Sequence, residues 1–99
     1  MLKTDIQNEI NTSLKAGKKT VVKVLRYLLS EIKYVEIDKQ RELNDDEVRQ
    51  LINKEIKKRT EAIELFKRAG RVDIVSDEEE QIKILSRYLP DQISDEEKS

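Results

Sequence analysis

Phe66-Lys67-Arg68-Ala69-Gly70-Arg71 and Tyr88-Leu89-Pro90-Asp91-Gln92-Ile93-Ser94 punctuate the second half of this chain and hold one of its two glycines and its only proline. Lys67 and Arg68 suit the last turn of a helix, where the dipole favours cations, and Gly70 accepts the left-handed conformation that closes helices. Pro90 disfavours helical geometry at Leu89. Two helices therefore end in these stretches. Ser94-Asp95-Glu96-Glu97 then has the form of a capping box opening another helix, which Lys98 and Ser99 do not complete.

Apolar spacing elsewhere agrees with these stops. Leu2, Ile6, Ile10 and Leu14 fall four apart along one stripe that Gly17 ends. Val21, Val22, Val24, Leu25, Leu28, Leu29, Ile32 and Val35 fill nearly half of a second helix, wider than the usual stripe of roughly 100°, so this helix is central. A capping box of Asn44 and Glu47, with Asp45 and Asp46 in the first turn, starts a third. Val48, Leu51, Ile52, Ile56, Ala62, Ile63 and Phe66 form its buried stripe. A fourth follows at once, with Ile74, Val75, Ile82, Leu85, Tyr88 and Leu89 facing inward. Asp45–Arg49, Glu64–Arg68 and Glu79–Lys83 place an acid four residues before a base, a weakly stabilising spacing.

The sequence thus predicts an all-α fold, an antiparallel bundle of four helices over about 2–16, 19–39, 45–69 and 72–89, with the start of a fifth at 94. Residues 1–90 form the helical domain, and residues 91–99 an acidic linker or the start of an absent C-terminal domain.

Composition narrows the chemistry. Leu, Ile, Val and Phe make up 29 of 99 residues, too many for a disordered chain despite 41% charged residues. With no cysteine and no histidine, these residues supply no disulfide, no ordinary zinc site and no imidazole base. No metal site, cofactor or catalytic residue is assigned. No apolar run approaches the ~20 residues that span a bilayer, so no membrane partner and a cytoplasmic location are expected. The charge is sorted along the chain, with net +5 over residues 15–41, +5 over 49–71 and −6 over 73–99. A basic middle points towards a polyanionic partner.

Two constellations could carry function. On the polar face of the second helix, Lys19, Lys23, Arg26, Tyr27, Ser30, Lys33 and Tyr34 share an arc of roughly 120° at 100° per residue, with Glu31 and Glu36 outside it. Cations neutralise phosphate and phenol rings stack on bases, so Lys19, Lys23, Arg26, Tyr27, Lys33 and Tyr34 are candidates for binding RNA. The structural alternative is a solvated face whose tyrosines lie over the edge of the core. The second constellation is Glu55 and Arg59, mid-stripe on the third helix, with Glu78 mid-stripe on the fourth. As chemistry it would be a carboxylate pair for acid–base work. As structure it is a partly buried ion network that fixes helix register, the reading favoured here.

Val24-Leu25-Arg26, Ile32, Glu36-Ile37-Asp38 and Arg41-Glu42-Leu43-Asn44-Asp45-Asp46-Glu47-Val48 carry a further signal. So do Lys57-Lys58-Arg59, Ile63, Phe66, Ala69-Gly70-Arg71, Glu78-Glu79 and the segment from Tyr88 to Ser94. In this order they resemble the N-terminal domain of the YqeY family, whose domain type is shared with the C-terminal tail of the GatB subunit of aspartyl/glutamyl-tRNA amidotransferase. The family's usual second part, a smaller helical domain after the Gln-Ile-Ser segment, is missing from these residues. The unfinished helix at Ser94 fits that departure.

The resemblance implies an α-helical protein associated with tRNA-dependent amidotransfer. In the GatB subunit this tail helps to engage tRNA, while amide transfer belongs to other domains. The expected function is a tRNA-binding or amidotransferase-accessory helical domain that is not independently catalytic. Its partner would be tRNA or an amidotransferase–tRNA complex, and a monomer is expected. One alternative is a protein-interaction module that docks by helix packing, through Val22, Leu29 and Ile37. A more remote one is a carbon–nitrogen ligase that uses glutamine as amide donor, an activity with which family members are labelled.

Overall fold

The structure, a computed structural model, describes residues 1–89. These form four helices, α1 (Leu2–Lys15), α2 (Lys19–Lys39), α3 (Asp45–Arg68) and α4 (Val72–Ser86), with no strand among the described residues. The fold is all-α, with the four helices in the order that the apolar spacing predicts. The second capping box at Ser94 and Glu97, the fifth helix and the segment 91–99 lie outside the described residues. The chain divides into two compact units, Met1–Leu51 and a second from Ile52 onward, with the boundary inside α3.

In the first unit α1 and α2 pack as an antiparallel pair, since Lys3 near the start of α1 meets Glu36 near the end of α2 at 2.6 Å. Ile6, Ile10, Leu25, Leu28 and Ile32 are almost fully buried, and Val21, Val22 and Val24 are buried beside them. The wide apolar face of α2 is therefore used, although Leu29 and Val35 at its margins are only half-buried.

The stripe on α1 turns out differently. Leu14 is 49% exposed, and Ser13 takes the buried position, its hydroxyl donating to Glu9 at 3.1 Å. The reason is geometric. A strict four-residue step advances about 40° beyond a full turn at 3.6 residues per turn, so Leu14 drifts off the line that Ile6, Ile10 and Ser13 keep. The buried apolar residues of α1 are then Ile6 and Ile10. Burial of such side chains contributes about 1.5–3 kcal/mol each, little for a helix too short to be stable alone.

Polar ties at its start add to that burial. The Leu2 amide donates to Asp45 Oδ1 at 2.9 Å. Glu36 Oε2 accepts from Lys3 Nζ at 2.6 Å and from the Leu43 amide at 2.9 Å. Both bonds favour the charged carboxylate, and the Lys3 ammonium first, then the Leu43 amide, hold the Glu36 pKa below its ordinary value. Next to it the expected capping box forms, with the Glu47 amide donating to Asn44 Oδ1 at 2.9 Å and the Asn44 amide to Glu47 Oε1 at 3.0 Å. Arg41 adds a two-pronged ion pair to Glu47 at 2.8 and 2.7 Å. Arg41 and then the Asn44 amide lower the Glu47 pKa to about 2.

Three helices end by one device. At each, one amide reaches back five residues and the preceding amide three, the pattern of a Schellman closure. Lys18 bonds Ser13 and Gly17 bonds Leu14 after α1, Arg41 bonds Glu36 and Gln40 bonds Ile37 after α2, and Arg71 bonds Phe66 and Gly70 bonds Lys67 after α3. The pivots are left-handed, with φ of 73° at Gly17, 57° at Gln40 and 72° at Gly70. Glycine adopts this conformation freely, whereas Gln40 adopts it at a cost.

The fourth ending departs from expectation. α4 stops at Ser86, not Leu89, and the Arg87, Tyr88 and Leu89 amides each reach back only three residues. Pro90 has no N–H to offer the Ser86 carbonyl, which instead accepts from Leu89 at 3.0 Å. The Ser86 hydroxyl donates to the Ile82 carbonyl at 2.8 Å and loosens the same turn.

In the second unit the chain reverses at Gly70, and Arg59 of α3 meets α4. Arg59 Nη1 donates to Glu55 Oε1 at 2.6 Å and Arg59 Nε to Gln81 Oε1 at 3.0 Å, with Glu78 Oε1 3.8 Å from Nε. Gln81 Nε2 in turn donates to Asp77 Oδ2 at 2.9 Å, and Lys58 lies 3.4 Å from Glu55 Oε2. The side chain of Glu55 is 4% exposed and that of Arg59 14%. The expected surface pairs are arranged otherwise. Arg49 pairs with Asp46 at 2.8 Å because Asp45 is engaged by Leu2, and Glu64–Arg68 and Glu79–Lys83 do not pair among the described residues.

Three outcomes follow from these contacts. Arg59→Ala leaves the buried Glu55 carboxylate with only the exposed Lys58 as a cationic partner and should lower stability by about 3–5 kcal/mol in urea unfolding, whereas a loss below about 1 kcal/mol would mark the network as a mere surface pair. Gln40→Gly removes the left-handed penalty and should raise stability by about 0.5–1 kcal/mol in the same assay. Glu36 and Glu47 have depressed folded pKa values, so their contribution is complete above the ordinary carboxylate value of about 4.5 and is lost as pH falls, for Glu47 through about 2. Melting temperature should therefore fall across that window, and less steeply in a Glu36→Gln, Glu47→Gln double variant.

Candidate functional site

At the junction of α1 and α2, the Schellman closure at Gly17 turns the chain so that the end of α1 faces the first three turns of α2. A groove of about 710 Å³ opens there, lined by Ser13, Leu14, Gly17, Lys18, Lys19, Val22, Lys23, Arg26, Tyr27 and Ser30. Its base is apolar, from buried Val22 and from Leu14, which the drift of the α1 stripe has turned outward. Four exposed cations, Lys18, Lys19, Lys23 and Arg26, surround that base, and no carboxylate lines it among the described residues. Among the described residues none of these four is in an ion pair. Tyr27, 43% exposed, completes the lining.

Of the residues singled out on the polar face of α2, the groove brings together Lys19, Lys23, Arg26 and Tyr27, with Ser30. It does not include Lys33 or Tyr34, which lie at least 10 Å or so further along the helix than Arg26 at about 1.5 Å per residue. Lys33 lines a separate depression of about 300 Å³ with Lys3, Gln7, Leu29, Ser30, Ile32 and Glu36. Its charge is among those that depress the Glu36 pKa, so the arc is not free of carboxylates there. Tyr34 is 74% exposed and lines neither.

Lys18, Leu14 and Ser13 belong to the groove and escape a reading of α2 alone. The signal for Lys18 is the run Lys15-Ala16-Gly17-Lys18-Lys19, in which a helix stop is set among lysines. Leu14 could have been found by noting that a four-residue stripe rotates off its own face.

Glu55, Arg59 and Glu78 come together in the second unit, where Arg59 donates to Glu55 and Gln81, Lys58 donates to Glu55, and Glu78 Oε1 lies 3.8 Å from Arg59 Nε. Of the apolar residues considered for partner docking, Val22 is buried at 8% exposure and Leu29 is half-buried, so with Ile37 they do not form an exposed patch. Among the described residues no group of three or more acidic, histidine or cysteine side chains is placed to hold a metal ion. No helix among them is long and apolar enough to cross a membrane.

What the groove can do chemically is hold a multiply charged anion that also has an apolar face. The rim supplies positive charge without competing acids, and the base supplies surface that water solvates poorly.

Comparison with known proteins agrees with the resemblance read from the sequence. An uncharacterised protein of Schizosaccharomyces pombe is 37% identical over 93 residues, a match covering 94% of this chain and 76% of that protein. The pattern described as Yqey-like protein matches residues 3–99, nearly the whole length. The chain belongs to the YqeY family.

Proposed function

We propose that this domain binds tRNA and acts as an accessory to tRNA-dependent amidotransfer, without catalysing the transfer itself. The observation that carries the reading is the groove at the α1–α2 junction, with four cations that have no ion-pair partner among the described residues and a tyrosine around an apolar base. Nucleic acid is the abundant ligand that offers closely spaced phosphates and flat apolar bases together. The kinship of the domain type with the tail of the GatB subunit supports tRNA as the particular nucleic acid, and a cytoplasmic location is part of the same proposal. The carboxylates of the second unit support no catalytic role, since the buried one is locked against Arg59.

A second reading, a helix-packing protein module, draws on Tyr34 and Ile37, which stand 74% and 73% exposed one turn apart on α2. It would leave the cations of the groove without a role, which is why RNA binding is preferred.

A filter-binding titration with total tRNA across a salt series tests the proposal. If about four phosphates are neutralised, affinity should fall roughly a hundredfold between 50 and 200 mM salt. The double charge reversal Lys23→Glu, Arg26→Glu should remove most binding at every salt concentration. Absence of saturable tRNA binding by the wild type at low salt would sink the proposal.

A further inference from the structure

The groove suits one part of an RNA chain better than another. Its volume, about 710 Å³, falls within the ~300–1,000 Å³ of pockets that enclose small ligands. A double helix keeps its bases stacked inside and shows the protein a convex surface of phosphates. It would meet the lysines and leave Leu14 and Val22 uncovered. An unpaired base offers what the groove lacks, one flat apolar face to lie on Leu14 and Val22 and a second to stack on the ring of Tyr27. Its own flanking phosphates then fall to Lys19, Lys23 and Arg26, which no carboxylate neutralises among the described residues.

Resting on the tRNA-binding reading, we infer that the groove is a seat for an unpaired nucleotide of single-stranded RNA. The base occupies the apolar floor and the backbone tracks the cationic rim. The four cations set affinity, and Leu14 and Tyr27 set the preference for single strands over duplex. Those two side chains are 49% and 43% exposed and are not among the buried core residues.

The test compares an eight-nucleotide adenosine RNA with a blunt eight-base-pair RNA duplex at one ionic strength, by fluorescence anisotropy. Charge alone would favour the duplex, which carries more phosphates. The inference expects the single strand to bind at least tenfold tighter. Leu14→Gln and Tyr27→Ala should each weaken single-strand binding by roughly 5- to 100-fold, the usual loss of one base stack. Duplex binding should stay within about twofold in both, and Tyr27→Phe should restore single-strand affinity, since it keeps the ring. Both variants should keep a cooperative melting transition, which shows that they fold. Equal binding of the two RNAs, or no effect of Leu14→Gln and Tyr27→Ala, would overturn the nucleotide seat. If Lys23→Glu, Arg26→Glu still abolished tRNA binding in that case, the tRNA reading would stand alone. If neither RNA nor tRNA bound the wild type, both would fall together.

Discussion

The carboxylate of Glu36 holds three segments of the first unit at one point. It belongs to the end of α2, receives the ammonium of Lys3 from the start of α1, and receives the Leu43 amide from the connection that leads into α3. Charged hydrogen bonds of this kind are among the stronger polar contacts in proteins. They matter most where burial is thin, and α1 buries few apolar side chains. Release of Glu36 would leave the start of α1 with the Leu2–Asp45 bond alone among these polar ties, and the far end of α1 supplies Leu14 and Ser13 to the groove. The candidate site and the tie that supports it thus sit at opposite ends of the same helix pair.

Acidic and basic residues have divided roles in this chain. Glu36, Glu47 and Glu55 are each engaged by a cation within the fold. The cations around the groove have no such partner among the described residues. A net charge of −1 therefore coexists with a locally positive surface. Overall charge says little about such a protein, because what an approaching anion meets is the local arrangement of charge within a Debye length of ~8–10 Å.

The sequence made much of the fold legible because its local signals agree. Gly17 and Gly70 sit at helix ends, Asn44 and Glu47 form the box their spacing implies, and the apolar period of α2 matches its buried side. What escaped were features decided by atoms rather than by residue types. Gln40 closes α2 in a conformation that composition does not advertise. α4 ends early because a carbonyl four residues before Pro90 lacks its usual donor. The site was half legible for a related reason. The face of α2 can be drawn on a wheel, but Lys18 and Leu14 join it only once α1 is turned back against it. Lys33 shares the wheel position and not the place along the axis.

The short connections at residues 16–18 and 69–71 have a kinetic side. Each helix finds its first partner close by in the chain, so the loops that must close are short and their entropy cost is small. Topologies of this kind fold in microseconds to milliseconds. α2 carries an apolar face broad enough to attract other chains while it is bare. Its cover, α1, leaves the ribosome first and lies three residues away, so that face is bare only briefly.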